Sequence, residues 1–206
     1  ILYNPDIRTQ VFTIPGLVGV ILQIVTIALT SFSLVREREQ GSLEQLMASP
    51  VGKLGLLLGK LLPYSILAMC EIVFVLILAR LLFGIVVTGS ILLLFVLSMP
   101  FVLAALSLGL LISTFAQTQA QALQVTMLTT LPSILLSGYV APRETQPGIM
   151  QLLGDCLPVT YYIQILRAII VRGAGFMDVW PNVIPLVLIS VVLLSVATAR
   201  FRKSIE

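Results

Sequence analysis

The chain contains no histidine and only two cysteines, and both shortages limit its chemistry. The lack of histidine excludes histidine-based catalytic triads, H-E-x-x-H zinc sites and histidine proton relays. Cys70 and Cys156 do not fit the spacing of a metal site. Because Cys70 lies in an apolar segment and Cys156 in a loop region, we expect no disulfide between them. The sequence therefore predicts neither a metal site nor a disulfide.

Charged residues are also scarce, at 10% of the 206 residues, with 12 basic and 9 acidic groups. No basic face with interleaved aromatic residues is present, so nucleic-acid binding is not predicted. The first residues are polar and do not form the pattern of a secretory signal peptide.

A nucleotide-binding loop is absent too, although two Gly-Lys pairs invite the comparison. The Walker A pattern needs an earlier glycine, and a serine or threonine after the lysine. Leu54 stands where the glycine preceding Gly59 is needed, and Leu61 follows Lys60. We therefore predict that the chain is not an enzyme and holds no cofactor. An intramembrane enzyme is disfavoured as well, since there is one deep carboxylate and no Gly-x-Gly-Asp motif.

Apolar residues, in contrast, make up 58% of the chain, and the mean hydropathy is +1.10. These values are typical of membrane proteins. We predict an all-α membrane protein forming a single transmembrane domain over residues 1–206. The expected spans are residues 15–35, 61–82, 91–115, 122–138 and 184–199. A helix of about 20 residues crosses the hydrocarbon core, so the fourth segment, with about 17, is at the short limit.

The densest run of charge, Arg36 to Pro50, lies between the first two apolar segments. Gly41 suits the end of the preceding helix. Ser42 and Gln45 fit a capping box that begins a new helix, and Pro50 stops it. We therefore predict a short helix over residues 42–49.

This short helix has one apolar face, formed by Leu43, Leu46 and Met47, while Glu44 lies on the other side. At about two turns, it would lie flat on the membrane surface and expose polar groups to a soluble partner. The alternative is an ordinary solvated loop with a chance capping pattern.

The run Glu37-Arg38-Glu39-Gln40-Gly41-Ser42-Leu43-Glu44-Gln45-Leu46, closing on Ser49-Pro50, resembles the signature of ABC-2-type transporter permeases. In that family this segment forms a coupling helix, which docks into a groove of a cytoplasmic ATP-binding subunit. The resemblance implies that the coupling residues here are Glu37, Arg38, Glu39, Gly41, Ser42, Leu43, Glu44, Leu46, Met47 and Pro50.

The resemblance covers essentially the whole chain and favours the multidrug-exporter-like branch. It implies that the chain corresponds to helices two to six of six, and lacks the family's first membrane helix and extracytoplasmic domain. The implied partners are an ABC ATPase subunit, which binds ATP and Mg²⁺, a second permease copy or paralogue, and membrane lipids. A periplasmic adaptor protein is a further candidate partner.

The region 139–182 is too long for a turn and too polar for a simple span. Its prolines and glycines predict short half-helices that enter the membrane edge and return. Pro158, Tyr161 and Arg167 are spaced as in the family's outer re-entrant region, which caps the outer end of the pathway. For Tyr161 and Tyr162 a place in the interfacial aromatic belt is an alternative of at least equal weight.

Two polar residues lie within the predicted spans, Gln23 and Glu71. A carboxyl group at membrane depth is costly and suggests a function, such as a cation contact or a protonatable switch. The alternative, which we favour, is a structural partner inside the helix bundle. The row Ala105, Gly109 and Ser113 allows close helix approach, and we expect it to pack within the bundle rather than to form a dimer face.

Orientation follows from basic residues near the span ends. With the Arg36–Lys60 loop in the cytoplasm, seven basic residues are inside, namely Arg36, Arg38, Lys53, Lys60, Arg200, Arg202 and Lys203. Five are outside, namely Arg8, Arg80, Arg143, Arg167 and Arg172. We therefore expect a multi-pass protein of the bacterial inner membrane, with the N-terminus of this chain outside and its C-terminus in the cytoplasm.

The function implied by the resemblance is that of a permease subunit of an ATP-driven exporter, working as a dimer on a small amphipathic molecule such as a drug. The alternatives are a lipid or glycan exporter permease, a non-transporting membrane scaffold, or a truncated fragment.

Overall fold

The computed structural model describes residues 9–41, 53–140 and 143–203, and these ranges contain helices but no strands. A 3-10 turn covers Arg143–Thr145. The seven α-helices are α1 (Thr9–Glu39), α2 (Lys53–Phe83), α3 (Ile91–Phe115), α4 (Gln119–Leu136), α5 (Gly148–Asp155), α6 (Pro158–Arg172) and α7 (Phe176–Lys203).

Four of these helices are long and apolar enough to cross a membrane: α1, α2, α3 and α7. They contain the predicted spans 15–35, 61–82, 91–115 and 184–199, so the expected all-α membrane protein is confirmed. Helix α4 contains most of the remaining predicted span, 122–138, and has 18 residues. That α4 crosses the membrane stays a prediction.

Side-chain caps fix where several helices begin. The Ser90 hydroxyl accepts a hydrogen bond from the Leu93 amide at the start of α3, and the Thr118 hydroxyl accepts one from the Gln121 amide at the start of α4. At the start of α7, a carboxylate oxygen of Asp178 accepts from the Gly175 amide at 3.0 Å. Such caps satisfy donors that the first helical turn leaves free.

The cap on α7 corrects one predicted boundary. This helix begins at Phe176, eight residues before the predicted span at residue 184. The polar and proline residues here suggested an irregular segment, but an acidic residue in the first turn favours a helix N-terminus. The interrupted region between α4 and α7 therefore ends earlier than residue 182.

Helix α1 is the centre of the bundle and packs against α2, α3, α4 and α6, while α7 packs against α3 and α6. The contact between α1 and α3 is close. A Cβ atom added to Gly109 would lie 2.7 Å from Thr30 Cβ and 2.9 Å from the Ile27 carbonyl oxygen. The small-residue row of α3 thus packs inside the bundle, as its spacing predicted.

The interrupted region divides into two unlike helices. Helix α5 lies at the edge, where Ile149 and Leu152 are largely exposed. Helix α6 is embedded, and Tyr162, Ile163 and Leu166 are fully buried in the main core. The predicted short pieces are therefore present, but one of them is part of the central packing. That they enter the membrane stays a prediction.

Candidate functional site

The helix ends gather in two groups at opposite ends of the bundle. The first group, which we name the Glu39 end, holds the end of α1, the start of α2, the α3–α4 link and the end of α7 near Arg200. The second, the Tyr139 end, holds the start of α1, the α2–α3 link, the end of α4 and helices α5 and α6. Of the predicted coupling residues, the described ones, Glu37, Arg38, Glu39 and Gly41, lie at the Glu39 end, and the predicted cap residues Tyr161 and Arg167 lie at the Tyr139 end.

At the Glu39 end, the acidic residues of α1 bind two other elements. Glu37 forms an ion pair with Lys60 of α2. Both carboxylate oxygens of Glu39 accept hydrogen bonds from Gln119, one from its amide N–H at 3.0 Å and one from its side chain at 2.7 Å. The Glu39 end is therefore braced by contacts between residues about 20 and 80 positions apart.

Arg38 completes this brace, since its guanidinium donates to the Ala116 carbonyl oxygen at 3.3 Å. Ala116 is the C-cap of α3, and its carbonyl would otherwise lack a helical partner. The run Glu37-Arg38-Glu39 thus ties α1 to α2, to α3 and to α4.

Helix α1 ends where the sequence predicted. Its last turn closes through a hydrogen bond from the Gly41 amide to the Arg38 carbonyl, and Gly41 has a φ of +68°. A left-handed residue of this kind redirects the chain, and glycine adopts it without a steric cost.

The predicted coupling helix, residues 42–49, lies outside the described residues, as do the predicted coupling positions Ser42, Leu43, Glu44, Leu46, Met47 and Pro50. Their contact with an ATPase stays a prediction. The structure does show that Glu37, Arg38 and Glu39 have partners within the chain. These contacts hold the end of α1 against its neighbours.

Basic residues gather at the same end. Arg36 and Arg38 lie in the last turn of α1, Lys60 faces Glu37, and the Arg200 guanidinium lies 5.2 Å from the centre of the Phe115 ring. This distance permits a cation–π contact. The gathering places in one region four of the seven basic residues that are predicted to be cytoplasmic.

At the Tyr139 end, α5 and α6 are held by polar contacts. Arg143 pairs with Asp155 and also donates to the Gln151 carbonyl at 3.1 Å. The Tyr161 hydroxyl donates to the Asp155 carbonyl at 2.9 Å. Burial raises the pKa of the Tyr161 phenol, and the Asp155 carboxylate raises it further, so the hydroxyl keeps the proton that it donates.

Two more contacts join this cap to the bundle. The Arg167 guanidinium donates to the Gly138 carbonyl at 3.1 Å. A Cβ atom on Gly16 of α1 would lie 2.5 Å from the Tyr139 ring. The link between α2 and α3 also contacts α6, since the Gly89 amide donates to the Ile169 carbonyl at 3.1 Å.

Tyr162 lies in the interior rather than at the interface. It is fully buried, its ring stacks on Phe101 with centroids 4.0 Å apart, and its hydroxyl lies 2.8 Å from Ser98 Oγ. The alternative of a belt position is therefore wrong for Tyr162. Tyr161, one residue earlier on α6, is half-buried and bonds near the surface of the cap.

The remaining predicted site residues lie in α6, in α1 and in α2. Pro158, Tyr161, Tyr162 and Arg167 all belong to α6, with Pro158 in its first turn. Gln23 of α1 is 2% exposed, and Oε1 of Gln23 and Oε1 of Glu71 are buried without a hydrogen-bond partner among the described residues. An intramembrane function of Glu71 stays a prediction.

Sequence reasoning missed Gln119 and Ser98. Gln119 stands in a glutamine-rich link that carries no charge and so gave no orientation signal. Gln119 pairs with Glu39, which is 80 residues away in the chain. Ser98 pairs with Tyr162, which is 64 residues away. No local pattern indicates such pairs.

Comparison with known proteins identifies the family of the chain. The family model described as "ABC-2 family transporter protein" matches residues 2–199. The chain belongs to the ABC-2 transporter family.

Named relatives are of the same kind. The chain is 34% identical to the probable multidrug ABC transporter permease YbhR of Escherichia coli (strain K12), over 98% of this chain and 55% of the relative. It is 34% identical to the probable multidrug ABC transporter permease YbhS of that strain, over 96% of this chain and 50% of the relative. It is 32% identical to the inner membrane transport permease YhhJ of that strain, over 98% of this chain and 54% of the relative. The chain spans about half the length of the curated relatives it matches.

Proposed function

We propose that this chain is the membrane-spanning part of an ABC-2 exporter permease, driven by a separate ATPase subunit and exporting a small amphipathic molecule. ATP is bound and hydrolysed by that subunit, since no Walker A pattern occurs in the sequence. The path for the exported molecule lies between two permease copies. The membrane is the bacterial inner membrane, with the Glu39 end in the cytoplasm.

The observation that carries the proposal is the brace at the Glu39 end. Glu37, Arg38 and Glu39 hold the end of α1 against α2 and the α3–α4 link. A force applied to the segment after Gly41 would therefore act on four helices together rather than on α1 alone. This is what a docking site for a moving ATPase requires.

Two observations support the proposed substrate class. Two relatives are named as probable multidrug permeases. The membrane-length helices are almost entirely apolar, and their few buried polar groups include Gln23 and Thr26. A path of this composition suits molecules with a large apolar surface and few polar groups.

The test reverses the charge at Glu44, which the predicted coupling helix exposes to the ATPase. The full-length permease is purified with its ATPase subunit and reconstituted, and drug-stimulated ATP hydrolysis is measured. We expect Glu44→Lys to lower the stimulated rate about ten-fold or more, because the reversed charge removes the polar contact that Glu44 is proposed to make with the ATPase. Export should fall in parallel, while the helical content stays unchanged.

The control is Glu144→Lys, which reverses an acidic charge at the Tyr139 end. It should retain the full stimulated rate. ATPase that copurifies with Glu44→Lys at wild-type strength and remains stimulated by drug would contradict the coupling proposal. Coupled hydrolysis stimulated by a lipid but by no drug would keep the coupling and reject the substrate class.

A further inference from the structure

The outer surface of α2 is the least covered part of the membrane-length helices. Only 17% of the apolar stretch Gly59–Phe83 is buried, against 61% of Thr13–Glu39 in α1. Between α2 and α3 this surface forms two hollows, of about 230 and 400 Å³. Val73 and Phe95 line both hollows, so the two adjoin, and we name them together the α2–α3 groove.

The groove is apolar along its length and has a cation at one end. Arg80 lines the hollow nearer the Tyr139 end, together with Ile77 and Val86. The Arg80 side chain is exposed and makes no ion pair with another described residue. An arginine next to apolar surface places its stem along that surface and its guanidinium at the polar interface. The end of the groove is therefore suited to an anion at the level of the lipid headgroups.

The part of the groove next to Arg80 has the length of one bilayer leaflet. On α2 the lining runs from Arg80 to Leu62, and Arg80 and Met69, which are eleven positions apart, are separated by roughly 16 Å along the helix. Half of the hydrocarbon core is about 15 Å thick. A lipid with its headgroup at Arg80 would therefore reach Met69 with its acyl chain.

The hollows have room for an acyl chain over the roughly 16 Å between Arg80 and Met69. An alkyl chain about 4 Å across occupies roughly 200 Å³ over the same length. That is comparable with the space between α2 and α3.

The geometry points to a binding site for an anionic phospholipid of the membrane, with one acyl chain in the α2–α3 groove and the headgroup on the Arg80 guanidinium. The Arg80 cation supplies the preference for an anionic headgroup, because phosphatidylcholine balances the same phosphate with a quaternary ammonium group. The site is independent of the transported substrate. It also does not depend on which side of the membrane the Tyr139 end faces.

The test places a fluorescent reporter in the groove of the full-length protein. Phe95→Trp is combined with Trp180→Phe and with removal of any other tryptophan, so that one indole reports on the groove. The protein is reconstituted into mixtures of phosphatidylglycerol and phosphatidylcholine, in which one lipid at a time carries bromine atoms at mid-chain. We expect brominated phosphatidylglycerol to quench with an apparent affinity about five-fold higher than that of brominated phosphatidylcholine.

Arg80→Gln should abolish this preference, and Arg80→Lys should keep most of it. The matched control is Arg172→Gln, which removes an exposed arginine at the Tyr139 end that does not line the groove; it should leave the preference unchanged. Equal quenching by the two lipids, or a preference that survives in Arg80→Gln, would overturn the inference. Absence of quenching by either lipid would overturn it as well, because a protein segment would then fill the groove.

Discussion

At the scale of single residues, the contrast between Tyr161 and Tyr162 shows how burial decides the role of adjacent side chains. Both are tyrosines of α6, yet Tyr162 is fully buried against Phe101 and Ser98, while Tyr161 bonds at the rim of the cap. Ser98 donates its own proton to the Leu94 carbonyl at 2.7 Å, so Tyr162 is the donor in their shared bond. The tyrosine therefore extends a hydrogen-bonded chain across α6 and α3.

Tyr162→Phe should destabilise the protein by about 1 kcal/mol, since the fully buried Ser98 hydroxyl loses a donor. In a protein of this size that corresponds to a drop of about 2–4 °C in the thermal midpoint, measured in detergent. Tyr161→Phe is the matched control, and it should lower the midpoint by less, because water can replace its contact. Equal shifts for the two variants would contradict the assigned bond.

At the scale of helices, the sequence predicted what local patterns encode. The small-residue row of α3, the end of α1 at Gly41 and four long apolar helices all follow from spacing and composition. The depth of α6 and the early start of α7 do not, because they depend on contacts between distant segments. The coupling helix, residues 42–49, stays a prediction, since it lies outside the described residues.

Replacing glycine by alanine should have opposite effects on stability at Gly109 of α3 and Gly59 of α2. Gly109→Ala places a methyl group against Thr30 Cβ and the Ile27 carbonyl oxygen. The backbone atom cannot move aside alone, so we expect a loss of about 1–3 kcal/mol. No atom of the described residues lies within 4 Å of a Cβ added to Gly59 of α2, and Gly59→Ala should stabilise the helix by about 0.5–1 kcal/mol.

Thermal unfolding in detergent, followed by circular dichroism, measures both variants under the same conditions. A stable Gly109→Ala protein would mean that α1 and α3 are further apart than the structure places them. Loss of stability in Gly59→Ala would mean that the exposed face of α2 is covered by another segment or subunit.

At the scale of the whole molecule, the two ends of the bundle differ in charge and in construction. The Glu39 end combines Arg36, Arg38, Lys60 and Arg200 with a brace of acidic residues. The Tyr139 end is a cap of short helices held by Arg143 and Arg167. By sequence, seven basic residues were predicted inside and five outside, and the structure adds that Arg36, Arg38, Lys60 and Arg200 of the larger group occupy one region. Such a cluster favours the cytoplasmic side.

The orientation and the crossing of α4 can be tested by one labelling experiment. Gln117 precedes α4 at the Glu39 end, and Thr145 follows α4 on the side of the cap. Both residues are exposed. In a full-length protein in which Cys70, Cys156 and any other cysteine are replaced, single cysteines at Gln117 and Thr145 are treated with a membrane-impermeant maleimide. We expect Gln117→Cys to react in inverted vesicles alone, and Thr145→Cys in spheroplasts alone.

The expected pattern depends on whether α4 is long enough. Its 18 residues extend roughly 27 Å, slightly less than the 30 Å of a typical hydrocarbon core, so it can cross if the bilayer thins by a few ångströms or flanking residues reach the interface. Labelling of both positions from one side would show that α4 does not cross, which would leave four spans. Labelling from the two sides in the reverse order would keep α4 as a span and would place the brace of Glu37, Arg38 and Glu39 outside the cell, where no ATPase could act on it.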